Sequence, residues 1–267
     1  MALFHSHFFS EVLGMQSEAM VIIPQPASEQ QIGLQTASAR DTWPCLWLLH
    51  GLSDDHTAWL RRTSIERYAE AAGCAVVMPN CHRSFYRDMA QGGEYGTFLM
   101  EELPALMRSF FPLSPERKDN AVAGLSMGGG GAVRWLLNRP EHFIAGASLS
   151  GVLDPAGRVE EVRRNEPGRM LAESLALAYG DQDLRGSSED LCWRVGQLPP
   201  ESLRPPLLQI CGTEDFLYDD NLRFRDAALQ AGYPLTYRER PGSHEWGFWD
   251  QSIQEVLTWL PEQGFGS

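Results

Sequence analysis

The chain is short of positive charge: 22 Lys and Arg stand against 35 Asp and Glu in 267 residues, a formal net charge of −13. An acidic surface repels phosphate backbones and anionic headgroups, so nucleic acid and membrane surfaces are poor partners. A strongly anionic substrate is disfavoured too, unless a local basic pocket overrides the balance. No apolar run approaches the ~20 residues needed to span a bilayer. The stretch MALFHSHFFSEVL lacks the Lys/Arg-rich start and small-residue cleavage site of a signal peptide. Cysteine is sparse: Cys45, Cys74, Cys81, Cys192 and Cys211 are odd in number and scattered, with no CxxC pair, and HExxH is absent. The expectation is buried reduced thiols in a cytoplasmic protein, with no disulfide framework and no metal. Internal repeats and long linkers are also missing.

What is present suits one globular domain over residues 1–267: 43% of the chain is hydrophobic and 21% charged. Short apolar runs at 45–51, 74–80, 120–124, 144–151 and 206–212 read as buried parallel strands. Two early strands are expected at 8–12 and 17–24, and an alternating one at 234–240. Helical spacing covers 59–72, 97–111 (bent near Pro104), 127–138, 221–231 and 249–259. Residues 27–43 read as a loop. Residues 154–197 are polar and irregular, with helical pieces at 170–178 and 189–195. Alternating strands and helices imply an α/β fold with a mainly parallel sheet covered on both faces, whose strand ends carry the chemistry.

One strand end reads Gly124-Leu125-Ser126-Met127-Gly128, a G-x-S-x-G between a buried strand and a helix. A sharp turn there lifts the serine above the sheet, and the helix N-terminus behind it favours developing negative charge. A serine hydroxyl needs a base. His244 follows the last strand and is best placed; His5, His7, His56, His82 and His142 read as surface or loop residues, and His50 as a structural histidine. The base needs a carboxylate to fix its tautomer. Asp215, just past the strand at 206–212, is preferred over Glu214 and Asp219. The order Ser126, Asp215, His244 is that of α/β-hydrolases. The N–H groups of Met127 and Leu52 are the expected oxyanion donors. Trp59, Tyr86, Tyr95, Trp246 and Trp249 are candidates to wall the substrate pocket; Arg83 and Arg87 read as solvated.

LLHGLSDDHTAWLRRT, VVMPN, EELPALMRSFFP, AGLSMGG, CGTEDFLY and GSHEWGFW together resemble the tributyrin-esterase branch of the esterase D family, which also contains S-formylglutathione hydrolases. The resemblance implies an α/β-hydrolase fold with a central sheet of about eight strands. It implies a serine carboxylesterase for short acyl chains, with no cofactor or metal, the triad on Ser126, Asp215 and His244, and oxyanion donors on Leu52 and Met127. It also implies a homodimer or homotetramer, and a small cap insertion at 154–197. Relatives often carry a larger residue where this chain has Gly130, which is therefore expected to leave space or mobility beside the serine. The competing readings are a thioesterase for S-formylglutathione, an acetyl or feruloyl esterase for decorated carbohydrates, and, from another class, a catalytically silent binding module.

Overall fold

The computed structural model describes residues 1–25, 40–164 and 168–267. Most of the loop expected at 27–43, and three residues of the expected cap, lie outside the described residues. Strands β1 (Ala2–Ser10) and β2 (Met15–Ile23) form a hairpin; β3 (Cys45–Leu49) leads to helices α1 (Ala58–Arg62) and α2 (Ile65–Ala72). Then come β4 (Ala75–Pro79), α3 (Tyr95–Thr97), a π-turn at Phe98–Glu102, α4 (Leu103–Phe110), β5 (Asn120–Leu125), α5 (Met127–Asn138) and β6 (Ala145–Leu149). Helices α6 (Pro155–Arg164), α7 (Arg169–Tyr179) and α8 (Leu191–Gly196) precede β7 (Leu207–Gly212), α9 (Tyr218–Gln230), β8 (Leu235–Arg240) and α10 (Trp246–Trp259).

The strands make one eight-stranded sheet in the order β1-β2-β4-β3-β5-β6-β7-β8. The β1–β2 and β2–β4 pairs are antiparallel; all others are parallel. Strands β3 to β7 are buried along their whole length. Successive side chains therefore feed two cores: Cys45, Trp47 and Leu49 enter one, Leu46 and Leu48 the other. This is the expected α/β-hydrolase arrangement.

Three local departures have physical causes. The helix expected at 59–72 is broken at Thr63-Ser64, where the Thr63 hydroxyl bonds back to the Trp59 carbonyl and receives the Ile65 N–H. The bend near Pro104 is absorbed by the π-turn immediately before it, which suits a residue with no N–H to give. Helix α6 is formed by PAGRVEEVRR, whose charge hides its periodicity; Arg158 anchors it by paired hydrogen bonds to Asp220 on α9.

Gly130 is buried, and a Cβ there would lie 2.5 Å from the Val152 carbonyl oxygen. It leaves no spare room, contrary to expectation: the glycine lets α5 press on the chain leaving β6. Gly130→Ala should lower stability by about 1–2 kcal/mol, overpacking exceeding the ~1 kcal/mol helix gain. Gly196→Ala, where an added methyl meets nothing within 4 Å, should not. Urea midpoints of the two variants check this; a Gly130→Ala protein as stable as the parent would contradict it.

Candidate active site

The turn from β5 into α5 holds Ser126 at φ 53° and ψ −118°, a left-handed conformation that a serine adopts only when its surroundings enforce it. They do. The Ser126 N–H donates to the Leu149 carbonyl, and the Ser126 carbonyl accepts from the Gly130 and Val152 N–H groups. A Cβ at Gly128 would lie 2.6 Å from the Leu49 carbonyl oxygen, and one at Gly124 would lie 2.4 Å from the Gly128 carbonyl oxygen. The flanking glycines are thus demanded by backbone touching backbone.

The Ser126 hydroxyl is 3.0 Å from His244 Nε2, and His244 Nδ1 lies 3.0 and 2.9 Å from the two Asp215 oxygens. Carboxylate oxygens accept, so Nδ1 carries the proton and Nε2 presents a lone pair to the serine. The loops after β7 and β8 are tied together by the Glu214 N–H donating to the Gly242 carbonyl. Burial pushes the Asp215 carboxyl up, but bonding to His244, its charge, the Leu217 N–H and the Ser150 hydroxyl outweigh that and hold it below the usual aspartate range. His244 is packed between Phe216 (centroids 4.5 Å apart) and the edge-on ring of Trp249 (4.8 Å).

A cleft of about 520 Å³ opens over Ser126. Trp246 and Trp249 line it, as do Leu52 and Met127, the candidate oxyanion donors; Trp249 is fixed by its Nε1–H donating to Ser150. As the first residue of α5, Met127 has no intrahelical acceptor for its N–H. Trp59, Tyr86 and Tyr95 do not line the cleft. Trp59 is buried behind it, donating to the Leu49 carbonyl and bracing Trp246 edge-on at 5.3 Å. The Tyr86 ring lies against Gly131 under α5, and its hydroxyl donates to the His50 carbonyl. Tyr95 packs edge-on to His82. Arg87 is half-buried rather than solvated: it pairs with Glu189, which Arg134 also holds at 2.6 Å.

The sequence reading missed Asp54, Phe85, Val152 and Phe216 as wall residues, and Met170, Leu171 and Leu175, which α7 lowers onto the cleft. Asp54 and Phe216 sit in strand-end loops and could have been inspected there. The α7 residues carry no local signal beyond an apolar helical stripe.

His50 braces the loop that presents Leu52. Its Nδ1–H donates to the Gly51 carbonyl at 2.7 Å, and its Nε2 accepts from the Cys81 N–H at 3.2 Å. The ring is fully buried and therefore neutral, with its pKa pushed down to about 4 by burial.

The chain belongs to the esterase family whose model, described as "Putative esterase", matches residues 26–260. It is 28% identical to an acetyl esterase of Caldicellulosiruptor saccharolyticus over 97% of this chain and 98% of that one. Two solved Staphylococcus aureus structures share 32% identity, over 97% of this chain and 98% of theirs: the fluorophosphonate-binding serine hydrolase FphF with substrate bound (TM-score 0.85) and the S-formylglutathione hydrolase FrmB (TM-score 0.81). The protein is a serine esterase, a carboxylic ester hydrolase, and not a silent binding module.

Between pH 6.5 and about 4 the unfolded chain protonates His50 and the folded one does not. Stability is therefore full above pH 6.5 and falls as pH drops through that window, by about 3 kcal/mol for a shift of this size. Urea unfolding at pH 7 and pH 4.5 should show this loss, with a smaller one in His50→Asn. An equal pH dependence in the variant would contradict the assignment.

Proposed function

We propose that Ser126 is the nucleophile, His244 its general base and Asp215 the group that orients His244, in an esterase acting on short-acyl, uncharged oxyesters. The observation that carries this reading is the continuous hydrogen-bonded line from Ser126 through His244 to Asp215 at the floor of an apolar cleft. His244 takes the Ser126 proton as the hydroxyl attacks the ester carbonyl. The Leu52 and Met127 N–H groups receive the oxyanion, one such donor being worth ~3 kcal/mol in the transition state. His244 then protonates the leaving alcohol, and the same histidine activates the water that releases the acid from acyl-Ser126.

The short-acyl preference is supported by the full-length similarity to an acetyl esterase. The wall chemistry favours an uncharged oxyester over S-formylglutathione. Arg158 is the one guanidinium among the lining residues, and Asp220 and Glu161 already occupy it. Trp246 and Trp249 form one wall, and residues 154–197 act as a cap within a single domain, α7 closing the cleft from above. The reduced thiols and acidic charge fit a cytoplasmic enzyme. No helix among the described residues is long and apolar enough to cross a membrane. The edge strand β1, with Leu3, Phe4 and Phe9 exposed, supports assembly into a homodimer or homotetramer.

Ser126→Ala should lower kcat/KM for p-nitrophenyl acetate by more than ~10⁴-fold with an unchanged fold; wild-type turnover would sink the assignment. Across p-nitrophenyl esters, acetate and butyrate should exceed dodecanoate by at least ~10-fold in kcat/KM, the scale set by a few unfavourably placed methylenes. S-Formylglutathione should rank below acetate. The reverse ranking would favour the thioesterase reading.

A further inference from the structure

Away from the cleft, three imidazoles and a carboxylate converge at the sheet edge. His5 and His7 are two residues apart on β1 and share a face. His7 pairs across the hairpin with Glu18 on β2. His56 reaches the same point from the segment between β3 and α1; it is the loop residue the sequence suggests, but it is buried. His56 Nε2 lies 2.9 Å from His5 Nε2 and 3.3 Å from Glu18 Oε2; His5 Nε2 is 3.2 Å from the same oxygen. His7 Nδ1 stands 3.9 Å from it.

With Glu18 ionised, protons cannot satisfy this triangle. Each imidazole nitrogen has one hydrogen or one lone pair, aimed along one direction. If both nitrogens donate to Glu18, two N–H groups face each other across 2.9 Å. If one donates to the other, the second turns a lone pair towards a carboxylate oxygen. One edge is always repulsive. His56 makes the conflict expensive: its side chain is only 6% exposed, and its Nδ1 has no hydrogen-bond partner among the described residues. Whatever justifies burying that ring acts at Nε2.

A single cation removes the conflict by accepting all the lone pairs at once. Tetrahedral zinc with ligand bonds of about 2.0–2.1 Å separates its donors by about 3.3 Å, close to the spacings here. We propose that His5, Glu18 and His56, with His7 completing the set, form a zinc site that clamps the N-terminal hairpin to the segment following Leu52. Imidazole with one carboxylate suits zinc rather than calcium or magnesium, which take oxygen ligands. Exposure of His5 (45%) and His7 (59%) leaves an entry path. The other grouping of this kind among the described residues, Asp154, Asp190 and Cys192, is already served by Arg185 and Arg223. The proposal does not depend on the catalytic assignment.

Calorimetric titration of the chelator-treated, tag-free protein with zinc chloride tests it, with thermal melts alongside. One equivalent of zinc should bind and raise Tm. His5→Gln and Glu18→Gln, both on the solvent side of the hairpin, should weaken binding at least ~10-fold and abolish the Tm rise. His142→Gln, an exposed histidine elsewhere, should change neither. The cobalt(II) form should show the intense visible bands of tetrahedral coordination, lost in both variants. Absence of saturable zinc binding by the parent, or undiminished binding by both variants, would overturn the proposal.

Discussion

Everything at the active site depends on how closely the chain packs where β5 turns into α5. Ser126 is held in a left-handed conformation because its own N–H and C=O are bonded to the last residue of β6 and to the chain just beyond it. Gly128 meanwhile sits against the Leu49 and His50 carbonyls. The end of β3, the end of β5 and the first turn of α5 therefore behave as one block. That block fixes three things together: the serine hydroxyl, the first free N–H of α5, and the start of the loop bearing Leu52. The four successive glycines are the steric condition for it, and the helix-propensity cost of each is offset by the approach it allows.

Around the block, side chains do the aligning. Buried, neutral His50 holds the Gly51 carbonyl from one side. Tyr86, itself at a positive φ of 58°, holds the His50 carbonyl from beneath α5. His244 arrives from the loop after the edge strand β8, its ring set by Asp215 and pressed between Phe216 and Trp249. The lining is mainly apolar, and its one guanidinium is spent internally. Arg158 is consumed by Asp220 and Glu161, which leaves no unpaired guanidinium on the lining.

The strands, their mainly parallel sheet and the residues of the Ser126–His244–Asp215 line were legible in the sequence, because each rests on a local signal: an unbroken apolar run, a turn with obligatory glycines, a polar residue directly after a strand. The pocket walls were not. Trp59 and Trp246 look alike in sequence, yet one backs the other, a distinction made only by packing between α1 and α10. Helix α6 was hidden because the contact that orders it, Arg158 to Asp220, spans 62 residues. Gly130 was misread because its reason lies at Val152, in a different loop. The histidine cluster was invisible for the same cause: its ligands are spread over two strands and a loop with no motif spacing, and only the β1–β2 register and the chain after β3 bring them together.

The central claim is that the strained Ser126 is the covalent nucleophile. The most direct measurement is peptide-resolved mass spectrometry of the intact enzyme after brief treatment with a fluorophosphonate. One adduct per chain, on the peptide bearing Ser126 and lost when His244 is replaced by alanine, is the expected result. Labelling at another residue, or a folded protein that takes up no label, would contradict the account.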